Sequence, residues 1–494
     1  MERPPGLASY IDATPSSSTS PSRLRKMVEA TVDPRRKDTP KGLAFDDHAT
    51  YPTPGSPLEA GTQHDLFGNT VTTEDPATIG AINHFLREVL GYGNQSAGIF
   101  AAAGAAPSCA LANAYAASLM MLMETGNAPE LARPFLDAAC AAPAPSTREA
   151  LYIEATKAWV EGHPEAMVLK LGEIVQRYPR DLMALKLGQT LHFLLGDFEG
   201  LLRLSNHAIG AASDVGFAHG MHAFALEQNH RIPEAEEAAL KALSLERGDP
   251  WAQHAFAHTQ ETQGRLDEGI AFMRSHADTW EHCNSFMLTH NWWHVALYHI
   301  DRDEAGEALA LYDQRVWGVW KEYSQDQIGA VALLARLELR GVDVGNRWAE
   351  LGVFLKARVN ESVWPFNDLH YVYGLARAGE EAGVREKLAR LQSDAHSVDP
   401  YVRRTWTEVT VPAARGLAAA GLGRHAQAVS ELKPVMSRLQ EVGGSHAQRD
   451  LFDLIYLDAL EHAGEIARAR AVVQKRIVDR GHIAWQHRVL ARLH

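Results

Sequence analysis

Apolar positions in this chain recur three and four residues apart over most of its length, the spacing of one buried helix face. Ile79, Ile82, Phe85, Leu86, Val89 and Leu90 mark the first such face. Thr73 is expected to open that helix, with Glu74, Asp75 and Pro76 in its first turn. Acidic groups there meet the positive end of the helix dipole, and proline costs little. Gly91, Tyr92 and Gly93 should end it. Strand signals are almost absent, and no Asn-Gly or Asp-Gly turn separates two alternating runs. From about residue 108 the pattern is of helices joined by short turns containing Gly or Asn.

Five of these turns share one form: GNAPEL at 126–131, GHPEA at 162–166, GDFEG at 196–200, HRIPEA at 230–235 and GRLDEG at 264–269. Their glutamates, Glu130, Glu165, Glu199, Glu234 and Glu268, are separated by steps of 35, 34, 35 and 34. A step near 34 with a turn inside each repeat is the tetratricopeptide signature. The turn closes a first helix, A. The acidic residue and alanine open a second, B, where alanine lets the two helices approach closely. The next step is 39, to Glu307, and the later repeats at 341–355, 379–391, 423–432 and 464–472 are irregular. The expected fold is all-α, a tetratricopeptide-like α-solenoid of antiparallel helix pairs, curled or closed around a central groove. It should form a single helical-repeat domain over 64–494, regular at about 108–320 and irregular at about 321–480. The A helices should line the concave face, where such arrays bind. Residues 1–60, rich in Ser, Pro, Thr and charge, offer too little apolar surface to offset ordering and are expected to be disordered. Their basic and serine content also fits a transit peptide, against which stand Glu2, Asp12, Glu29 and Asp33.

Composition narrows the function. The net charge is -13 and no Lys/Arg run interrupts it, so the clustered positive face that a nucleic acid requires is absent. The three cysteines lie far apart with no CxxC, which argues against a disulfide framework or a cysteine zinc site and for a reducing, cytoplasmic setting. No apolar stretch is long enough to span a bilayer. Phosphate-loop, dinucleotide and nucleophile-elbow motifs are missing.

Candidate chemistry concentrates at 219–299, which hold ten of the 24 histidines. His254/His258 and His290/His294 are both spaced i, i+4, so each pair projects from one helix face. The second pair follows the first by 36 residues, and His222 precedes His258 by the same interval, placing all five on successive A helices. Two imidazoles so spaced can ligate one metal ion, which makes His254, His258, His290 and His294 candidate ligands. The helical metalloprotease motif is absent, since the motifs read HAFAH and HNWWH with no Glu after the first His. Glu227, Glu261, Glu281 and Asp368 are carboxylates that could complete a metal site. Hydrogen bonding between repeats, a polar-ligand or acid–base site, and a metal site all remain open readings of the array. His258, His294 and Asp368 are the candidate catalytic groups. His222, His254, His290, Trp293, His370, His446, Arg449 and Asp450 are the candidate ligand-binding groups. Asp368 and His370 share a helix start, where Asn367 or Asp368 could equally be a cap. In GGSHAQRD at 443–450, Ser445 and Gln448 form a capping box, and Arg449 at a helix N-terminus could hold an anion. The tryptophans at 292, 293, 317, 320, 348 and 364 either fill the wedge between helices or wall a pocket.

Several stretches carry a more specific likeness. WAQHAFAHTQETQGRLDEGIAFM, HNWWHVALYHIDRDEAGEALALYD, GVDVGNRWAEL, FNDLHYVYGLARAG and GGSHAQRDLFDLIYLDAL resemble the tetratricopeptide repeat protein 38 family of bacteria and animals. The resemblance covers roughly 64–480, is strongest over 215–460, and leaves the first 60 residues and the tail end uncovered. It implies an α-solenoid and no settled biochemical activity. The resulting expectation is a ligand-binding protein whose His/Trp-lined groove takes a partner segment or a small polar or anionic ligand. The alternative is a small-molecule enzyme that uses the same histidines for acid–base or metal-assisted chemistry; no cofactor is identified by the sequence, and a divalent metal belongs only to the metal-assisted case.

Overall fold

A computed structural model describes residues 62–480 and 483–493. The extension expected at 1–60 lies outside the described residues. A two-residue antiparallel pair, Gln63–His64 with Thr70–Val71, precedes an all-helical chain. Among the described residues the first helix is Pro76–Leu90, and its N-cap is Asp75, whose carboxylate accepts from the backbone N–H groups of Ala77 and Thr78. The cap thus falls two residues after Thr73, because an aspartate there can satisfy two of the orphan donors of the first turn.

Helix pairs follow in the expected rhythm. The A helices include Ala110–Met121, Thr147–Val160, Leu182–Leu194, Gly216–Gln228, Pro250–Thr262 and Ser285–Asp301. Their B partners include Ala128–Ala141, Pro164–Arg177, Phe198–Ile209, Ile232–Leu245 and Leu266–His276, with Glu130, Glu165, Glu199, Glu234 and Glu268 in the first turns. Ile232–Leu245 buries an alanine stripe, Ala235, Ala238, Ala239 and Ala242, which permits close helix approach. The 39-residue step has a local cause: the A helix Ser285–Asp301 has 17 residues where Pro250–Thr262 has 13, which delays the next B helix. Irregular segments at Tyr312–Val316, Trp406–Thr410 and Met436–Val442 break the later periodicity.

The two helix classes differ in burial. Leu266–His276 buries only Gly269 and Met273, the narrow stripe of a surface helix. Pro250–Thr262 buries every residue except Trp251 and Thr262, and Ser285–Asp301 every residue except Phe286 and Asp301. Helices buried on all faces are interior helices. The concave side is therefore covered, and what covers it is the C-terminal half of the same chain. The Asn367 side chain donates to Glu124 at 2.8 Å, Gln440 donates to the Gly196 carbonyl at 3.1 Å, and His446 Nε2 meets Glu227 at 2.8 Å. Consecutive glycines make the closest approach possible. Gly443 (φ 85°) and Gly444 (φ 81°) lie where a Cβ would sit 2.6 Å from the Leu194 carbonyl oxygen and 2.3 Å from the Phe366 ring. The solenoid is closed, and the groove of an extended array is reduced to partly open clefts. Among the described residues, no helix is long and apolar enough to cross a membrane.

Candidate functional site

The helix starts set the register of the histidines. Gly216, Pro250 and Ser285 begin successive A helices, 34 and then 35 residues apart. The 36-residue interval from His222 to His258 is two residues out of this register. Two residues turn a helix by about 200°, so His222 faces away from the other four. It is half-buried and pairs its Nδ1 with Ser205 Oγ at 3.0 Å. Its pKa is lowered to about 4, first by desolvation and then by His219 and Arg231. The position 34 before His258 is Phe224, whose ring packs against both His254 and His258. The position 34 before Glu261 is Glu227, and these two carboxylates flank the cluster.

His254, His258, His290 and His294 converge. Ring centroids of His254 lie 4.5 Å from His258 and 4.9 Å from both His290 and His294, and His258 lies 4.5 Å from His294. The i, i+4 spacing supplies each pair, and helix packing joins the pairs. Nε2 of His254 is 3.1 Å from Nε2 of His258 and 3.1 Å from Nε2 of His290. Nδ1 of His258 faces Glu227 Oε1 at 3.6 Å, and Nδ1 of His294 faces Glu261 Oε2 at 3.3 Å. His446 reaches the same Glu227 oxygen at 2.8 Å and stacks on His230. Burial pushes the Glu227 carboxyl up, but the imidazoles of His446 and His258 outweigh it and hold it well below the usual carboxylate range. Burial and the neighbouring imidazoles hold His254 and His290 well below an ordinary histidine, so both are neutral. Trp293 lies flat against His290, with centroids 5.2 Å apart and planes 9° apart.

The other sequence candidates have different partners. Asp368 is bound by Lys387 at 2.6 Å in a fully buried ion pair, where desolvation still pushes its carboxyl up to about 6. The helix Pro365–Arg377 is capped at Trp364, so neither Asn367 nor Asp368 is its cap. His370 turns its Nδ1 to the Phe366 carbonyl at 2.8 Å, and burial lowers it to about 4. Asp450 pairs with Arg476. Arg449 donates to the Gly444 carbonyl and lies over the Phe198 ring, with its pKa lowered to about 10 by desolvation. Glu281 is exposed and faces Arg315. The capping box of Ser445 and Gln448 forms as expected.

One feature escaped the sequence reading. Four of the half-buried residues on the interior helices, Thr190, Phe193, Trp251 and Phe286, line one cavity of about 210 Å³. Lys186 lies in its wall, 7% exposed. Its ammonium sits 2.5 Å from the Tyr92 hydroxyl, 3.7 Å from the Tyr92 ring centroid and 4.6 Å from that of Trp251. Desolvation lowers Lys186 to about 7, while desolvation raises the nearby Asp249 to about 7. Tyr92 adopts φ 53°, a strained value for an aromatic residue, and Asn284 N–H holds its carbonyl at 2.6 Å. The repeat register contained the signal: counting back by 34 from His254 gives Gly220 and then Lys186. The cavity abuts the histidine cluster, since Trp251 stacks on His254 and Phe286 on His290. A larger cavity, about 680 Å³, lies where the two halves of the chain meet, lined by Trp159, Trp364, Tyr401 and Trp406. None of the four clustered histidines lines it.

No family model matches the chain. Among solved structures, the chain is similar to one in the structure of Naa15/Naa10 bound to HypK-THB, at 11% identity and a TM-score of 0.23, over 71% of this chain and 45% of that one. The chain spans less than half the length of that protein, and so low a score carries no argument about function. The tetratricopeptide-like character rests on the helix pairing of the chain itself.

Proposed function

We propose that this protein is a closed tetratricopeptide-like solenoid that binds a small molecule bearing an anionic group in the cavity at Tyr92, Lys186 and Trp251. The observation that carries this reading is a buried amine set among aromatic rings, where Thr190, Phe193, Trp251 and Phe286 of three interior A helices border a cavity. A lysine near pKa 7 is an uncomfortable structural element. An anion beside it restores the charged form, while the aromatic walls bind an apolar body. The strained backbone at Tyr92 supports the same reading, since strain persists where a site needs a side chain in one place. A peptide segment requires an open groove, and the all-round burial of the A helices favours the small ligand. We read 64–494 as one ligand-binding domain, place it in a reducing cytoplasmic setting on its undisulfided cysteines, and keep the likeness to the tetratricopeptide repeat protein 38 family as part of this proposal.

A second reading is favoured by the stacking of Trp251 and Phe286 on His254 and His290. It makes His258 and His294 acid–base groups acting from behind the cavity wall on a bound substrate.

The test is a thermal-shift and tryptophan-fluorescence titration with benzoate, 2-naphthoate and hexanoate, each beside its matched alcohol. Carboxylates should stabilise the protein and the alcohols should not, and Lys186→Met should abolish the difference. Equal responses to acid and alcohol, or an unchanged response in Lys186→Met, would overturn the proposal.

A further inference from the structure

We infer that His254, His258, His290 and His294 form a binding site for one divalent transition-metal ion of the zinc class, with Glu227 and Glu261 as its outer carboxylates. The inference goes beyond the ligand cavity and stands on different residues.

The first argument is spacing. In a tetrahedral zinc site, metal–nitrogen bonds of about 2.0–2.1 Å put neighbouring ligand nitrogens about 3.3 Å apart. Two of the Nε2–Nε2 distances here are 3.1 Å. One ring nitrogen from each of His254, His258 and His294 also lies within 4.8 Å of the others. Imidazole is a ligand suited to zinc, copper, nickel and iron.

The second argument is hydrogen accounting. An ionised carboxylate only accepts, so the Nδ1 atoms of His258 and His294 that face Glu227 and Glu261 carry the hydrogens. Their Nε2 ends then hold lone pairs. His254 Nε2 stands 3.1 Å from the lone pair of His258 Nε2 and 3.1 Å from His290 Nε2: with a hydrogen it can serve only one of them, and it opposes any hydrogen on His290. If it is bare instead, His258 needs its hydrogen on Nε2, and a lone pair then faces Glu227. No neutral arrangement satisfies every neighbour, whereas a cation at the centre accepts all the lone pairs together. His254 Nδ1 makes no hydrogen bond among the described residues.

The third argument is the surrounding shell. Metal-bound histidines characteristically donate their other ring N–H to a carboxylate, which fixes the tautomer and aims the lone pair. Glu227 and Glu261 stand in that relation to His258 and His294, at equivalent positions 34 residues apart on successive helices. Two buried carboxylates also bring two negative charges, which a divalent ion offsets. A second group, His425, Asp458 and His462, also has ligand spacing but is half-buried or exposed, and serves as a control.

The experiment uses full-length protein purified without a histidine tag, stripped with a chelator and titrated with Co(II). The expected result is one equivalent bound with the intense visible bands of a tetrahedral nitrogen site, bleached by Zn(II), together with a rise in unfolding temperature. His294→Ala and His258→Ala should abolish the bands, and Glu261→Gln should weaken binding about 10- to 100-fold. The double variant His425→Ala/His462→Ala should change nothing. A pale octahedral spectrum in the wild-type protein, or bands that survive in His294→Ala and vanish in the control variant, would overturn the inference. The wild-type spectrum decides the matter even where a histidine variant does not fold.

Discussion

Glu227 accepts a hydrogen bond from His446 at 2.8 Å although 219 positions separate them in the chain. The contact ties an A helix of the regular repeats to the helix His446–His462 of the irregular half, and so closes the solenoid over its own inner face. Because its pKa is depressed, Glu227 contributes stability above the unfolded carboxylate value near 4.5, and this is lost as pH falls through its lower folded value. Glu227→Gln should cost about 2–4 kcal/mol at neutral pH, since it removes the buried charge that faces two imidazoles and sets an amide NH2 against the donor of Gln228 or against an imidazole N–H. Urea denaturation should show the deficit shrinking below about pH 4.5. A deficit that persists unchanged in acid would count against the ionised pair.

His370 titrates in the same direction, in a higher window. Its folded pKa, about 4, lies below the unfolded value near 6.5, so between them the unfolded chain binds the extra proton. Stability from this group is complete above pH 6.5 and declines as pH falls toward 4. His370→Leu should flatten the slope of stability against pH in that window by about 1.4 kcal/mol per pH unit. Parallel denaturation series at pH 7, 6 and 5 measure it.

Lys186 also depends on pH, in a different window. Its folded value of about 7 is below the unfolded value near 10.4, so stability rises with pH between the two. Lys186→Met keeps most of the packing and removes the buried charge. The variant should be more stable than wild type by roughly 1–3 kcal/mol at pH 6–7, with the advantage fading toward pH 10. A site that trades stability for binding predicts this gain; a lysine with a purely structural role predicts a loss.

Gly443→Ala and Gly379→Ala separate backbone conformation from crowding. Both positions have positive φ, 85° and 75°, but an added Cβ at 443 meets the Leu194 carbonyl whereas that at 379 meets nothing within 4 Å. Gly379→Ala should cost about 1 kcal/mol. Gly443→Ala should cost about 3 kcal/mol or more, because the closure itself must shift. Protease sensitivity at 436–445 should rise only in the second variant.

Asp368→Asn removes one partner of the buried pair with Lys387, at 2.6 Å. It should destabilise by about 3–5 kcal/mol while leaving Co(II) binding and the carboxylate thermal shift unchanged. Loss of either binding response in a folded Asp368→Asn protein would return Asp368 to the functional site.

Local order was legible in the residues. The 34-residue rhythm of Glu130 to Glu268 marked each B helix, Ser445 and Gln448 announced their capping box, and the i, i+4 pairs guaranteed that His254 and His258 share a helix face. These features need only the geometry of one helix or one turn, which the nearest residues control. Tertiary structure decided which faces meet. A two-residue error in register removed His222 and hid Lys186 and Glu227 as members of the same columns, since each residue turns a helix by about 100°. Asp368, a candidate catalytic group by its place at a helix start beside His370, pairs with Lys387 instead. Closure lies furthest from the sequence: His446 with Glu227, and Asn367 with Glu124, are contacts between distant repeats. They depend on the small rotation added at each repeat and on the irregular segments that bend the array. Pairing along a helix is therefore written in the spacing of residues. Pairing across the closed solenoid follows from the summed curvature of the whole chain, which no single stretch encodes.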